Sequence, residues 1–429
     1  MLAASRQPPA DRKMKYSVLT FGCRTNQADS CQIEHELQAG GGVPAPSESA
    51  DVVVVNTCTV TAAADQAARH AIRRVARINP AARIVATGCY ATRRPGEVGA
   101  LPGVIRLLRN DQKGEIGEWL SGEIGSRVQA GLPPGLRPGD RGRTAYPLRV
   151  QTGCDERCSY CIVPSTRGAS RSRPVSHVLE DVRRLSSAGF KELWLTGVHL
   201  GSYGRDLQPP CSLLDLLGAL GREVESRDVT FRLSSLEPMD CGEAVVDLLA
   251  RSPRFAPHLH LPLQHASDRV LAAMRRPYTL GSYRALVDLV RARMPEAAIG
   301  SDVMVGFPGE TDREFEEQVT YLRGSPLTHL HVFPYSDRPG TQASQLAGKV
   351  PGAVIRDRAE RVRTVGHELN QRFVERQVGR QRPALTLEDG SLALTDNYLK
   401  LRIAPGHARN ERVRVRVVSI SPLRGEVVQ

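Results

Sequence analysis

Three cysteines in the order C-x3-C-x2-C constrain this chain more than any other feature. Cys154, Cys158 and Cys161 lie within LRVQTGCDERCSYCIVPSTRG, residues 148–168. An apolar, strand-like run (Leu148, Val150) enters the stretch, and Gly153, Asp155 and Ser159 break any helical period. Three thiolates on one short loop can grip one face of a small metal cluster, and cysteine thiolates are the usual ligands of iron–sulfur clusters. A four-iron cube has four corners, so three protein ligands leave one iron open. A vacant coordination position is what separates a reactive metal site from a structural one. Zinc sites usually pair C-x2-C units, and none of the other cysteines forms a second close pair. A structural zinc knuckle, or three unrelated core cysteines, is the plain alternative.

With Tyr160 immediately before the last cysteine, the loop resembles the signature of the radical S-adenosylmethionine (SAM) enzymes. In that superfamily the open iron chelates the amino and carboxylate groups of SAM. The resemblance implies that Cys154, Cys158 and Cys161 are the catalytic cluster ligands and that Tyr160 borders the cofactor.

The chain has 429 residues, enough for about three domains. Its formal net charge is +12 and its pI is near 9.5. Arginine supplies nearly all the excess, as phosphate contacts favour, because its planar fork binds in bidentate fashion. A basic balance points to a polyanionic partner, nucleic acid first. An Arg-, Ala-, Gly- and Pro-rich composition also follows from GC-rich coding, so charge alone decides little. The start, MLAASRQPPADRK, reads as a disordered leader and not as a signal peptide. No run approaches the roughly 18 apolar residues of a membrane helix. The expectation is a cytoplasmic protein with no membrane partner, in a compartment where thiols stay reduced.

In the N-terminal third, residues 15–22, 51–56 and 84–88 read as strands, separated by helical segments at 30–39 and 62–78. This alternation predicts a doubly wound α/β domain with a parallel sheet. A cysteine sits just past the carboxyl end of each strand: Cys23, Cys58 and Cys89. In open α/β sheets those ends converge on the edge where ligands bind. The three can therefore meet and hold a second three-ligand cluster. Ordinary core packing would place cysteines inside strands, not repeatedly one step beyond them. The strings TFGCRTNQADS, VVVVNTCTVT and VATGCYAT resemble the N-terminal domain of the methylthiotransferases. In that family the matching cysteines, here Cys23, Cys58 and Cys89, bind an auxiliary four-iron cluster. Cys31 matches no motif and reads as core packing.

Residues 122–142, rich in Gly, Pro and Arg, read as an exposed link. From 146 onward strand and helix alternate six times, with strands expected at 148–151, 192–196, 230–234, 258–263, 298–305 and 328–333. That predicts a partial (βα)6 barrel, short of the eight units that close one. Barrel chemistry sits at the carboxyl ends of the strands, and the cysteine loop follows the first. Other strand ends carry polar residues, in LTGVHLGSYG, RLSSLEP, LPLQHASDRVL and GSDVMVGFPGET. These also resemble methylthiotransferase segments, and the radical-SAM fold implies Thr196, Ser235 and Glu237 as SAM contacts. A hydrogen-bonded structural role is the alternative for each. His199 and His265 are candidate proton carriers. His265–Ala266 departs from the Ser-Gly that relatives often carry after the Gln. Cys211 and Cys241 match no ligand pattern.

Residues 354–378 have the apolar spacing of an amphipathic helix with an Arg-rich outer face. Short alternating runs follow and predict a small β-barrel. In RVRVRVV, one strand face would carry Arg412, Arg414 and Arg416 together. A basic sheet face suits an RNA backbone; a solvated edge strand blunted by charge is the alternative. The pattern resembles the TRAM barrel that ends methylthiotransferases.

The expected organisation is an N-terminal α/β domain at 14–125, a linker at 126–143, a radical-SAM partial barrel at 144–365 and a TRAM-like β-barrel at 366–429. Within the family, NTCTVT followed by TGCYA is most similar to the branch acting on tRNA threonylcarbamoyladenosine. The resemblance implies two [4Fe-4S] clusters, two SAM molecules per turnover, a tRNA anticodon stem-loop as substrate, a reducing electron donor and a sulfur donor of unspecified kind. The rivals are methylthiolation of tRNA isopentenyladenosine or of a ribosomal-protein aspartate, and a non-enzymatic RNA-binding protein with structural metal.

Overall fold

A computed structural model describes residues 13–124, 136–140 and 143–428. The expected leader, and most of the expected linker, lie outside the described residues. The chain divides into two compact units, one of the N-terminal residues through 135 with Ser165–Arg167, the other of the remainder.

The first unit is built on a parallel sheet of β1 (Lys15–Thr20), β2 (Val43–Pro44), β3 (Val52–Thr57), β4 (Arg83–Gly88) and β5 (Val104–Leu107), in spatial order β2-β1-β3-β4-β5. Val53 and Val55 of β3 face one apolar core with Ile72 and Val75. Val52 and Val54 face another with Ile33, Leu37 and Ile116. Two covered faces explain why β3 is an unbroken apolar run. The helices are α1 (Arg24–Ala39), α2 (Ala62–Ile78), α3 (Cys89–Arg93), α4 (Pro95–Gly99) and α5 (Glu115–Ile124). The Thr61 hydroxyl accepts from Ala64 N and starts α2, where the apolar period begins.

Helix α1 starts six residues earlier than its apolar period announces. Its first turns are buried by polar side chains instead. Asn26 Nδ2 donates to the Phe21 and Thr57 carbonyls, both at 2.8 Å, and Thr20 Oγ1 bonds Ser30 Oγ at 2.7 Å. The strand order reverses between β1 and β3, the position where sheets of this order form their binding crevice.

The second unit begins with six parallel strands: β6 (Tyr146–Arg149), β9 (Glu192–Thr196), β10 (Thr230–Leu233), β11 (His258–His260), β12 (Ala298–Val305) and β13 (His329–Pro334). Sheets β6-β9-β10 and β11-β12-β13 are joined by parallel bridges, Ser235 to His260 and Phe231 to Phe255. Two short strands, β7 (Gln151–Thr152) and β8 (Arg171–Ser172), pair antiparallel across the cysteine loop. Helix α6 (Val163–Arg167) follows the cysteine loop and has its last three residues in the first unit; α7 (Val175–Ser187), α8 (Leu213–Glu223), α9 (Glu243–Arg251), α10 (Asp268–Ala273), α11 (Leu280–Arg293) and α12 (Asp312–Gly324) fill the crossovers.

A long helix, α13 (Gly352–Gln377), packs on β13 and α12 and leads into a closed barrel of β14 (Gln381–Leu387), β15 (Leu392–Thr395), β16 (Lys400–Arg402), β17 (Arg412–Ile420) and β18 (Leu423–Val428). The boundary expected at 365/366 falls inside α13. One fully buried arginine fastens this barrel to the strands. Arg232 on β10 pairs with Glu192 at 3.0 Å and donates to the Thr395 and Asp396 carbonyls at 3.2 and 2.8 Å. Its guanidinium lies over the Trp194 and Tyr398 rings. Among the described residues, no helix is long and apolar enough to cross a membrane.

Candidate active site

The six cysteines singled out above fall into two groups, one in each unit. In the first unit, Cys58 follows β3, Cys89 opens α3 directly after β4, and Cys23 caps α1. The three thiols feel one another's charge at Cys58. Gly22 makes the approach possible: its φ is +89°, and a Cβ there would lie 2.4 Å from Cys58 Sγ.

This thiol group borders a buried set of cations. Arg167 donates to Asp29 Oδ2 at 3.0 Å and to Asn26 Oδ1, and Lys113 Nζ donates to the same Asp29 oxygen at 2.6 Å. The side chains of Arg167 and Asp29 are only 4% and 1% exposed, and that of Lys113 is 9% exposed. Two cations thus share one carboxylate in a place with almost no water, an arrangement that favours further negative charge nearby. Cys89 supplies the place for it. Burial pushes its thiol up, but Arg167, Lys113 and an Asn110 Nδ2 hydrogen bond at 3.4 Å more than offset this and draw it below the ordinary value. At Cys58 a Val60 backbone hydrogen bond and the Arg167 charge oppose burial without offsetting it, and the thiol rises to about 11.

In the second unit the cysteine loop follows β6 and β7, and side chains from other strand ends hold it. Gln151 is the root. Its Nε2 donates to the Gly153 carbonyl at 2.8 Å, and its Oε1 accepts from the backbone of Val198 and His199, both at 2.9 Å. Gly153 has φ +74°, and a Cβ would meet the Ala169 carbonyl oxygen at 1.8 Å, so only glycine lets the loop close on its own exit strand. Ser159 ties the middle of the loop to the end of α10, its N–H bonding Met274 O at 3.0 Å and its hydroxyl Ala273 O at 2.8 Å.

Two chains of polar side chains reach the loop thiols. Arg276 donates to Cys158 Sγ at 3.2 Å and pairs with Glu237, while its Nε meets Tyr278 OH at 3.0 Å. His199 Nδ1 lies 3.8 Å from Cys154 Sγ, and its Nε2 lies 2.6 Å from Asp240, which also takes Arg205 at 2.6 Å. Asp240 thereby fixes the imidazole in one orientation. Burial raises all three loop thiols, Cys154 to about 12 and Cys161 to about 11, and it raises Cys158 against the opposing charge and hydrogen bond of Arg276.

The other sequence candidates are placed as follows. Tyr160 packs in an apolar cluster with Met274, Met304 and Phe307 beneath the loop, and burial pushes its hydroxyl well up. Thr196, at the end of β9, is fully buried, and its hydroxyl has no hydrogen-bond partner among the described residues. Ser235 is exposed, whereas the buried hydroxyl of the preceding Ser234 has no hydrogen-bond partner among the described residues. Glu237 is committed to Arg276, and burial raises its carboxyl despite that cation. His265 is fully buried, its Nδ1 accepting from Ser267 N at 3.0 Å. Cys31 is buried on α1, as core packing requires. Arg412 departs from the sequence reading: it pairs with Asp228 and donates to Lys191 O and Thr230 Oγ1, both at 2.8 Å, so it is not part of a free basic face. Arg414 and Arg416 are exposed.

Sequence reasoning missed Arg167, Lys113, Arg276 and the His199–Asp240 contact. The only signal for any of them is the position of Arg167, in STRG directly after the cysteine loop.

The donor sets are chemically suited to iron: each offers three cysteine sulfurs, the usual ligands of iron–sulfur clusters. Residues 15–108 match the family described as uncharacterized protein family UPF0004, and residues 148–322 match the radical SAM superfamily. A threonylcarbamoyladenosine tRNA methylthiotransferase, MtaB, of Aquifex aeolicus is 35% identical over 408 residues, covering 91% of this chain and 96% of the relative. A tRNA-2-methylthio-N(6)-dimethylallyladenosine synthase of Parafrankia sp. is also 35% identical, over 85% of this chain and 76% of the relative. Among solved structures, the radical S-adenosylmethionine methyltransferase TsrM from Kitasatospora setae, with cobalamin and a [4Fe-4S] cluster bound, superposes with a TM-score of 0.57 at 15% identity. It covers 78% of this chain and 77% of its own and shows the likeness of fold.

Proposed function

The chain belongs to the radical-SAM methylthiotransferase family, and from that premise we propose that it converts N6-threonylcarbamoyladenosine beside the tRNA anticodon to its 2-methylthio derivative. The observation that carries the choice of substrate is end-to-end correspondence. The Aquifex aeolicus and Bacillus subtilis threonylcarbamoyladenosine enzymes are matched over 96% and 88% of their lengths. The dimethylallyladenosine synthase from Parafrankia is matched over only 76%. Its equal identity makes dimethylallyladenosine the second reading.

In this reading Cys154, Cys158 and Cys161 hold one [4Fe-4S] cluster, and Cys23, Cys58 and Cys89 hold the other. When bound, the clusters with SAM supply radical formation and the inserted sulfur, with a second SAM per turnover as methyl source. The residues of the chain supply the setting. Arg276 places a cation against Cys158, which favours the thiolate, and binds Glu237 in place. Asp240 holds His199 toward Cys154. Tyr160, with the apolar cluster under it, keeps water from the floor of the loop. The hydroxyls of Thr196 and Ser234, without partners among the described residues, are donors and acceptors available to SAM; Ser235 and Glu237, beyond the end of β10 like Ser234, complete the candidate set. In the other unit Arg167 and Lys113 balance thiolate charge. A reducing electron donor and a sulfur donor are external partners. A tRNA substrate places the work in the cytoplasm. An anticodon-loop base can be splayed out and stacked on a protein surface, as single-stranded RNA recognition requires.

The test is mass spectrometry of tRNA nucleosides from cells with and without the gene. Loss of 2-methylthio-threonylcarbamoyladenosine on deletion, restored by the gene, is the expected result. Loss of the 2-methylthio-dimethylallyl nucleoside instead moves the assignment to the second reading. A reconstituted protein that yields no 5′-deoxyadenosine from SAM under reduction overturns both.

A further inference from the structure

A third cluster of side chains with metal-ligating atoms stands on the barrel strands and belongs to neither thiol group. His260 on β11, Asp302 on β12 and His331 on β13 come from three adjacent strands. Asp302 and His331 are direct register partners, and His260 is paired with Gly300, two residues before Asp302. Because side chains alternate along a strand, Gly300 and Asp302 share one face of the sheet. His260 Nε2 lies 2.7 Å from Asp302 Oδ1, and His331 Nδ1 lies 3.3 Å from the same oxygen. All three donor atoms fall within 4.8 Å of one another.

We propose that His260, Asp302 and His331 form a site for one divalent first-row transition cation. With metal–donor bonds of about 2.0–2.2 Å, neighbouring donors around a cation stand about 3–3.4 Å apart. The His331–Asp302 separation of 3.3 Å lies in that range, and the His260–Asp302 separation of 2.7 Å would open by a few tenths of an ångström around a cation. Two imidazoles and one carboxylate suit iron(II), zinc or manganese and leave positions for water or an anionic oxygen. The exposure is graded in the right sense: His260 is buried, Asp302 keeps a 22% exposed side chain, and His331 is 60% exposed. The vacant positions therefore face solvent while the inner ligand is fixed.

The strand between the histidines is shaped for their rings. A Cβ on Gly300 would lie 2.1 Å from His329 Nε2 and 2.8 Å from His260 Nδ1. His260 and His331 stack with centroids 4.9 Å apart, so both rings present edges to Asp302. The site also looks toward the chemistry. Glu237, which Arg276 joins to Cys158, feels the charge of Asp302. The inference does not depend on which nucleoside is methylthiolated.

The test uses the full chain with its iron–sulfur clusters assembled, so that its cluster thiols are already ligated. Anaerobic titration with Mn2+ is followed by the electron paramagnetic resonance of the free ion, and Zn2+ retention is measured by equilibrium dialysis and elemental analysis. The expected result is one equivalent of Mn2+ or Zn2+ per chain beyond the cluster iron. His331→Ala and Asp302→Asn should each weaken retention by about tenfold or more, with cluster absorbance unchanged. His331→Ala removes an exposed side chain and keeps the test valid if Asp302→Asn misfolds. His407→Ala, in the C-terminal barrel, should change nothing. Retention of neither ion by the unaltered chain, or equal retention by His331→Ala, overturns the proposal and leaves the trio as two imidazoles hydrogen-bonded to one carboxylate.

Discussion

Cys23, Cys58 and Cys89 reach one sheet edge from three separate strands, whereas Cys154, Cys158 and Cys161 share a single loop. The first group is positioned by topology: the sheet would bring those strand ends together whatever residues followed them. The second is positioned by side chains, since a loop of this length has no ladder of its own and depends on Gln151, Ser159, Arg276 and Gly153. Charge divides them as well. Arg167 and Lys113 are buried beside Cys89, and one arginine serves the loop. A rigid edge can be compensated by fixed buried cations. A loop is compensated at the one thiol a neighbouring strand end can reach.

The largest effect separates the two groups by chemistry. Cys154→Ala should abolish both 5′-deoxyadenosine formation and methylthiolation, whereas Cys89→Ala should abolish methylthiolation and leave SAM cleavage. Each should lower iron from about eight to about four per chain. If Cys89→Ala stops SAM cleavage while the other cluster remains, the division of labour fails.

Next in size is the brace on the loop. Arg276→Met strands the buried Glu237 carboxylate, and breaking a buried pair from one side costs about 3–5 kcal/mol. Glu237 keeps a 22% exposed edge, which sets the expectation at the lower end of that range. Thermal unfolding should show the loss, and Arg276→Met combined with Glu237→Gln should recover part of it. Full stability in the single variant would remove Arg276 from the account of how the loop is held.

The charge difference predicts a difference in pH response. A thiol pushed up in pKa is protonated at neutral pH, and a metal must displace that proton. All three loop thiols are raised; in the other group Cys58 is raised and Cys89 is lowered. Both sites therefore weaken as pH falls, and because Cys89 is lowered the N-terminal site should keep its metal to a lower pH than the loop site. The cluster-free protein should show this in the thiolate charge-transfer band of Cd2+, read between about pH 6 and 8 and below the ordinary thiol pKa. Measurements on Cys154→Ala and Cys89→Ala isolate each site. Arg167→Met should move metal loss from the N-terminal site to higher pH, toward that of the loop site.

Much of this contrast was legible in the sequence, and the limits are instructive. Strands 192–196 and 298–305 and helix 62–78 are read to the residue, because continuous apolar runs and a Thr cap mark them. The cysteines are legible because spacing and strand ends are sequence properties. The braces are not. Arg276 in RRPYT looks like any surface arginine until α10 turns it inward. Arg167 and Lys113 are far apart in sequence and meet only through Asp29. β5 escapes notice because Ile105 and Arg106 are exposed, so no buried run announces it. The repeated H-x-H of HLHLPLQ and THLHVF carried a signal for the histidine face, and pairing across β12 is what gives it meaning.

The smallest expected effects test the C-terminal barrel, where alternation suggested three equivalent arginines. Arg412 is held by Asp228 and two oxygens of the central strands, so Arg412→Ala should act on stability. Arg414 and Arg416 are exposed on the strand face. If they meet RNA phosphates, each replacement by Ala releases about one fewer counterion on tRNA binding. The slope of log K against log salt should then fall by about one for each, with a weakening shared by all tRNAs. Arg412→Ala should leave that slope unchanged. Equal slopes for all three variants would restore the undivided basic face, and no change in any would mean that tRNA approaches the barrel from another side.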